Sequence, residues 1–184
     1  MFTTRLVESE EDLRQILALQ ASQLGSRLAP EQAVREGFLT VVHDLATLAR
    51  MHALAPSVIV TSGATLAGYA LVMPIEAAPW VPVLDPLFEL LGTLAFRGAP
   101  LAGLRHYVMG QICVAPAFRG QGVFDALYAG HRAHLAPRYD VVVTEIATRN
   151  GRSMRAHARV GFQFLHTYRD ATEEWAVVGW DLRR

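Results

Sequence analysis

The chain has 184 residues, of which 52% are hydrophobic and 18% are charged, a composition typical of a folded globular protein rather than a disordered one. Its 17 basic and 17 acidic residues balance, so the composition does not indicate a broad basic surface for nucleic acid. The length suits one core, and we predict a single domain over residues 1–184.

Cysteine content and the apolar stretches narrow the class of protein further. Cys113 is the only cysteine in the sequence, which excludes an intrachain disulfide. The start MFTTRLVESEEDLRQ turns acidic at once, unlike a signal peptide, and the apolar stretch from Trp80 to Phe96 contains two acidic residues and two prolines. We therefore expect a cytoplasmic protein without a membrane span. All 17 basic residues are arginines, so an anion site must use guanidinium or backbone N–H groups.

A strand and three helical regions are predicted at the start of the chain. Residues Thr3–Val7 are predicted to form a strand. Ser9, followed three residues later by Asp12, forms a capping box that predicts a helix over the next apolar period. A second helical region is predicted from Pro30, and a third from Leu45.

A hairpin and an apolar insertion precede the central strand. Residues 57–73 are predicted to be a hairpin, and Pro74 ends it. The proline-rich residues 74–104 are predicted to be an insertion over a binding face, with a short helix capped by Asp85. Its aromatic side chains are compatible with a lid, a dimer contact or ordinary core packing: Trp80, Phe88 and Phe96. Residues Arg105–Val114 then read as a central strand.

Helices and strands alternate over the rest of the chain. A helix is predicted over Gly120–Leu135 and a buried strand in YDVVVTEIA, whose apolar run is nearly continuous. A short helix over Asn150–Val160 ends at Gly161, and FQFLHTY with EWAVVGWDL forms a closing hairpin. We find no repeat and no linker, which favours one α+β domain on a mixed sheet.

The stretch QICVAPAFRGQGVF leaves a strand and enters a helix through Gly120 and Gly122. The first N–H groups of a helix lack internal partners, and a residue without Cβ lets a phosphate approach them. With Arg119 beside it, the turn predicts a site for a di- or triphosphate. The lysine of the common NTPase loop is absent, and Asp125 replaces the third glycine of the dinucleotide fingerprint. The pattern alone is equally compatible with an ordinary strand-to-helix turn.

Two motifs in this order resemble those of the GNAT acyltransferase superfamily. The first resembles motif A, although the last of its residues stands where the family usually has Gly or Ala: Val114, Pro116, Arg119, Gly122 and Phe124. The second is TEIATRNGRSMRAHARVGF, in which His157 replaces the usual tyrosine and these residues fall at the family offsets: Glu145, Asn150, Ser153, His157, Gly161 and Phe162.

The resemblance implies a GNAT fold of the α+β class. In this fold, helices flank a mixed, mostly antiparallel sheet of about six to seven strands whose central strands are splayed. It implies that acetyl-CoA, or another acyl-CoA, is the donor and that no metal takes part. It places the donor diphosphate on the turn made by Arg119, Gly120, Gln121, Gly122, Val123 and Phe124. It places the pantetheine arm along Ile112, Cys113 and Val114, near Asn150 and Ser153.

Acyl transfer to an amine requires a base, because the amine has a reference pKa of about 10. The resemblance makes Glu145 the first candidate for this base and puts His157 at the general-acid position, with the role of base as its alternative. Both residues also have structural alternatives to these catalytic roles. Glu145 can bond to the next turn or to Arg149, and His157 can pack its helix on the sheet. Many relatives carry an earlier Glu where this chain has Val108, and the nearby Gln111 cannot be a base.

Several other polar residues have simpler interpretations. Asn150 is predicted to cap its helix. Cys113 is predicted to be an inert core thiol rather than an acyl acceptor. His131 and His134 are predicted to lie on a solvated helix face, because a metal site there lacks carboxylate or thiol partners. His43 is predicted to cap or pack, although it could line an acceptor pocket.

The sequence therefore predicts an acyl-CoA-dependent N-acetyltransferase acting by direct attack in a ternary complex. The acceptor is a primary amine of a small molecule or peptide, without nucleic acid or membrane, and a homodimer is possible. The alternative is a non-catalytic module that binds CoA or acyl-CoA to regulate a partner. A plain interaction protein with a decayed ligand site is disfavoured, since Arg119, Gly120 and Gly122 are present.

Overall fold

The structure, a computed structural model, describes residues 1–29, 31 and 37–184. Its strands are β1 (Phe2–Leu6), β2 (Val58–Ser62), β3 (Thr65–Ala70), β4 (Met73–Pro74), β5 (Ala95–Phe96), β6 (Ala99–Pro100), β7 (His106–Val108), β8 (Ile112–Val114), β9 (Val141–Ala147), β10 (Gln163–Arg169) and β11 (Glu174–Asp181). Its longer helices are α1 (Glu10–Gln23), α2 (Leu45–Leu54), α3 (Asp85–Leu91), α4 (Val123–Leu135) and α5 (Gly151–Val160).

The main strands form two hydrogen-bonded sheets. The sheets are joined by a long two-stranded ribbon, in which one strand consists of β3 and β4 and the other of β7 and β8. Their orders are β1-β2-β3-β8 and β10-β11-β9-β7-β4, and only β7 and β9 run parallel. The chain runs directly from β3 to β4 and from β7 to β8, and the Leu71 N–H donates to the Gln111 carbonyl at 2.8 Å where the two halves meet. Counting each continuous run once gives seven strands, which confirms the predicted mixed, mostly antiparallel sheet.

The ribbon contains an irregularity that separates its two halves. Ala70 pairs with Ile112, whereas Met73 pairs with Val108, so the second strand holds one extra residue between these pairs. The space beside Gly110 is filled by Met73, whose Cε would lie 2.7 Å from an added Cβ. The single strand predicted over 105–114 is therefore broken into β7 and β8, and β8 diverges from β9.

Two apolar layers cover the two faces of the sheet. One contains side chains of α1, α2 and the 74–104 segment, and the other contains side chains of α4 and Phe162, the residue before β10. Successive residues of β9 divide between them, with Val141 and Val143 in the first layer and Val142 and Ile146 in the second. A nearly continuous apolar run is therefore needed in this strand, as the sequence predicted.

The 74–104 segment contributes side chains to the core. Phe96 is buried and packs where Gly179 leaves no side chain on β11, since an added Cβ would lie 3.1 Å from its ring. Arg97 pairs with Asp181 at 2.5 Å and fastens the β5–β6 hairpin to the same strand. None of its residues lines the two clefts found beside β8, so its place over a binding face stays a prediction.

Most of the predicted helix caps and helix ends are found at the predicted residues. Ser9 caps α1 in a capping box with Asp12, and Gly161 ends α5 with a φ of 106°. Asp85 is the first residue of α3 and makes no capping hydrogen bond, so its predicted role as the cap is wrong. The helical region predicted from Pro30 lies outside the described residues. No helix in the described part of the chain is both long and apolar enough to cross a membrane.

Asp12 joins the first strand to the first helix. Arg5 donates to both of its carboxylate oxygens, at 2.9 and 2.7 Å, and the Ser9 N–H donates at 3.2 Å. The Arg5 guanidinium and these N–H groups hold the pKa of Asp12 well below its usual range. The carboxylate is therefore charged at neutral pH and stabilises the start of α1.

Replacing Asp12 with Ala should lower the free energy of unfolding by about 2 kcal/mol, because α1 loses its cap and Arg5 loses its partner. Urea unfolding of both proteins measures this difference. The control is Glu10→Ala, which removes an exposed ion pair with Arg14 and should change stability by less than about 0.5 kcal/mol. Equal effects of the two substitutions would contradict the role given to Asp12.

Candidate active site

The turn between β8 and α4 presents backbone N–H groups in open space. Gly120 and Gly122 have φ values of 73° and 81°, a left-handed conformation that costs other residues about 1–2 kcal/mol. An added Cβ at either glycine would have nothing within 4 Å. The helix predicted from Gly120 therefore begins only at Val123, and its first bond runs from the Ala126 N–H to the Gly122 carbonyl. The preceding N–H groups remain for a ligand.

Arg119 lies in the wall of the same cleft and is fastened on two sides. Its Nε donates to the Val114 carbonyl at 3.3 Å, and its guanidinium also donates to Gln23 Oε1 at 2.5 Å. These bonds connect the end of β8 with the last residue of α1. The charge predicted at the rim is thus held in a defined position.

The turn opens into a cleft with a volume of about 500 Å³ between β8, α4 and α5. Ten of the residues that the sequence predicted to bind CoA line this cleft: Ile112, Cys113, Val114, Arg119, Gly120, Gly122, Val123, Phe124, Asn150 and Ser153. Gln121 does not line it, because its side chain turns away and donates to the Ala117 carbonyl at 2.9 Å. The cleft also contains three arginines of α5 that sequence reasoning missed: Arg152, Arg155 and Arg159.

One edge of β8 faces this cleft. On the other edge, the Leu71 N–H donates to the Gln111 carbonyl and the Ala115 N–H donates to the Ala67 carbonyl. Since hydrogen-bonded positions alternate in an antiparallel pair, the peptide groups of Ile112 and Val114 point away from β3. An extended ligand with amide groups can pair with this edge as an added strand.

A smaller cleft of about 80 Å³ lies between β8 and β9, and Glu145 lines it from the middle of β9. Burial raises the pKa of the Glu145 carboxyl to about 7, although a hydrogen bond donated by the Tyr168 hydroxyl acts in the opposite direction. Arg149, the partner considered from the sequence, binds Glu173 instead. Glu145 is therefore a carboxylate whose affinity for a proton suits proton transfer near neutral pH.

Tyr168 was missed as a partner of Glu145 because nothing in its sequence context distinguishes it. It lies on β10, 23 residues further along the chain, and reaches Glu145 across the neighbouring strand β11. Burial and the bond to Glu145 raise the pKa of Tyr168, so its hydroxyl keeps its proton and donates it in the hydrogen bond.

His157 also lines the smaller cleft, but its surroundings favour the packing alternative. Its Nδ1 lies 2.8 Å from the Ser153 carbonyl, which can only accept, so Nδ1 carries the hydrogen. Burial lowers the pKa of His157 to about 4, which leaves the ring neutral at pH 7 with an Nε2 that has no proton to donate. The rings of Phe124, Tyr128 and Phe162 surround it at centroid distances of 5.2, 5.6 and 5.0 Å.

Residues 37–43, here called the strap, cross the smaller cleft. Gln111 donates to the Val41 carbonyl at 2.8 Å and accepts from the Tyr69 hydroxyl at 2.5 Å. Gln20 exchanges two hydrogen bonds of 3.0 Å with the backbone of His43. These buried amides hold the strap in place, and the imidazole of His43 does not line either cleft.

The remaining polar candidates have structural roles. Asn150 caps α5 by accepting from the Ser153 N–H at 3.1 Å. Burial raises the pKa of the Cys113 thiol to about 12, in agreement with an inert thiol. His131 is fully buried and bonds the Tyr107 hydroxyl at 2.6 Å, so its predicted place on a solvated face is wrong. Among the described residues, no group of three or more His, Cys, Asp or Glu side chains could hold a metal.

At the level of sequence, the chain matches no family model and no curated protein. Solved structures match it in fold. The ribosomal-protein-S18-alanine N-acetyltransferase of Escherichia coli has 15% identity and a TM-score of 0.65, with 99% of this chain and 94% of that chain covered. A putative acetyltransferase of Salmonella typhimurium, solved with acetyl-CoA, has 16% identity and a TM-score of 0.62, with 98% and 94% covered.

A putative GNAT acetyltransferase of Desulfovibrio desulfuricans has 17% identity and a TM-score of 0.62, with 99% of both chains covered. These likenesses extend over nearly the whole chain. The protein therefore has the fold of the GNAT acetyltransferases, as its two motifs predicted.

Glu145 should titrate near pH 7 rather than near the usual value of about 4.3, as followed by carboxyl-carbon NMR. Tyr168→Phe removes the hydrogen bond that favours the carboxylate, so the pKa of Glu145 should rise further. Tyr139→Phe, which removes a hydroxyl elsewhere, is the control and should leave the titration unchanged. A midpoint near pH 4 in the unmodified protein would show that burial does not raise the pKa of Glu145.

Proposed function

We propose that this protein is an acyl-CoA-dependent N-acyltransferase that transfers an acetyl group from acetyl-CoA to a primary amine. One observation carries the proposal. A partly buried carboxyl group, Glu145, with its pKa raised to about 7, lines the smaller cleft between β8 and β9, and the adjoining larger cleft contains the glycine turn and the exposed edge of β8. The likeness in fold to acetyltransferases supports it.

The larger cleft fits the donor. The turn at Gly120 and Gly122 offers backbone N–H groups to a diphosphate, in space that any side chain on these residues would reduce. The exposed edge at Ile112 offers peptide groups to the amides of a pantetheine arm. A volume of about 500 Å³ is within the range of cofactor sites. A donor bound in this way points its thioester towards the smaller cleft.

Glu145 is proposed to act as the general base, directly or through a water molecule. When bound, acetyl-CoA supplies a thioester, at which the new N–C bond forms and the C–S bond breaks. Glu145 takes the proton that the amine must lose, and the departing thiolate takes a proton from solvent. Tyr168 keeps the carboxylate in place, and the cleft walls hold both reactants together.

His157 is proposed to position α5 rather than to transfer a proton. Its Nδ1 hydrogen is committed to Ser153, and its ring packs between aromatic side chains. The acceptor then contacts residues of the strap and Glu145, since these line the smaller cleft together. A primary amine of a small molecule or a peptide fits this arrangement.

The second candidate function is a non-catalytic module that binds acyl-CoA. It is favoured by Val108, which stands where many relatives have a Glu, and by the lack of a proton on His157 Nε2. The two candidates differ in one measurement. Release of free thiol from acetyl-CoA, followed across a panel of primary amines, distinguishes a transferase from a module that binds CoA without turnover.

Glu145→Gln should lower kcat about 100-fold or more, because the base is lost, while the affinity for CoA changes less than about twofold. Thiol release and calorimetry measure the two quantities. In the unmodified enzyme, kcat/KM should rise with pH through about 7, since only the deprotonated Glu145 accepts a proton. Glu89→Gln, an exposed site in the 74–104 segment, is the control. Unchanged turnover in Glu145→Gln would exclude this residue as the base.

His157→Phe should retain most of the turnover and of the CoA affinity, because a phenyl ring fits among the surrounding aromatic rings. Steady-state kinetics and CoA titration of the folded variant check this expectation. Loss of most of the turnover with unchanged CoA affinity would instead show that His157 is the acid or base.

A further inference from the structure

The wall of the larger cleft is strongly basic in a chain that is neutral as a whole. Its lining contains four arginines and a single acidic residue, Asp125, among the described residues. Three of the arginines lie on one face of α5, at positions i, i+3 and i+7: Arg152, Arg155 and Arg159. A positive wall in a neutral protein indicates a ligand with several negative charges.

The three arginines of this face do not have the same surroundings. Arg159 binds both carboxylate oxygens of Asp125, at 2.8 and 2.9 Å, and so connects α5 with the first turn of α4. Arg155 is exposed and makes no hydrogen bond or ion pair among the described residues, and its Nη1 lies close to Gly151. Arg152 lies one turn away on the same face. The charge of Arg155 is therefore available to a ligand in the cleft.

The side chain of Arg155 and the backbone donors of the turn at Gly120 and Gly122 line the same cleft from different elements. A diphosphate on that turn is bound by N–H groups at the start of α4, whereas Arg152 and Arg155 project from α5. Besides its diphosphate, CoA has a separate phosphate group on the 3′ oxygen of its ribose. Guanidinium groups bind such a phosphate through two parallel hydrogen bonds.

We propose that Arg155, with Arg152 beside it, binds the 3′-phosphate of CoA and makes the donor site selective for the 3′-phosphorylated nucleotide. This inference rests on the proposed function, since it assumes that CoA occupies the cleft. It assigns the α5 arginines to recognition of the nucleotide end of the donor, far along the ligand from the thioester. Selectivity for the donor is then separate from catalysis at Glu145.

Calorimetric titration of the unmodified protein and of Arg155→Ala with CoA and with 3′-dephospho-CoA tests the proposal. The unmodified protein should bind CoA about tenfold more tightly than 3′-dephospho-CoA, the usual size of one charge-assisted contact. Arg155→Ala should weaken CoA binding by about this factor and leave 3′-dephospho-CoA binding unchanged. Arg14→Ala, an exposed arginine on α1, is the control and should preserve the tenfold preference.

Two results would overturn the inference while leaving the donor site intact. Equal affinities of the unmodified protein for the two ligands would show that the 3′-phosphate is not recognised. An equal loss of both affinities in Arg155→Ala would place this arginine on the diphosphate instead. If the unmodified protein binds neither ligand, the proposed function itself fails, and thermal unfolding of the same sample shows that the protein was folded.

Discussion

The parallel pairing of β7 with β9 ends where the Met109 N–H donates to the Val143 carbonyl at 2.8 Å. Beyond this bond the extra residue beside Gly110 turns β8 away, and β8 continues its pairing with β3 alone. Both clefts exist because of this divergence. It exposes the Ile112 edge on one side and the Glu145 carboxyl on the other, so a single bulge shapes both clefts.

Burial gives Glu145 its chemistry at some expense of stability. A carboxyl group within a strand of Val, Thr and Ile is desolvated, which disfavours its charged form and raises its pKa to about 7. Tyr168 offsets part of this effect, and Tyr168 itself packs against the apolar layer that includes the buried Leu87 and Phe96. The position of Tyr168 therefore depends on the apolar layer against which it packs.

The parts that could be predicted from the sequence are those governed by residues close together in the chain. The capping box at Ser9, the positive φ values of Gly120 and Gly122, and the cap at Asn150 all depend on neighbours within a few residues. The buried run of β9 was visible because both faces of that strand are covered.

Contacts between distant residues were not visible. Tyr168 meets Glu145 across 23 residues, and Gln111 meets the strap across 70, so no spacing rule could connect them. The burial of His131 and His157 was also hidden, because a histidine on a helix has the same pattern whether it faces solvent or an aromatic cluster. The packing of Phe96 against Gly179 was hidden as well, since apolarity indicates burial without identifying the surface that buries a residue.

The described hydrogen bonds of the strap all come from its main chain, while the side chains of Val41 and His43 are buried. Gln20 bonds the N–H and carbonyl of His43, Gln111 bonds the carbonyl of Val41, and the backbone of Leu39 bonds the end of α1 and Gly25. Thr40 is exposed and lines the smaller cleft alone, whereas Phe38 and Leu39 line both clefts. A substitution at Thr40 therefore changes the smaller cleft and leaves the lining of the larger cleft as it is. Under the proposed function, the choice of acceptor can change in evolution at such a position without a change in the site for acetyl-CoA.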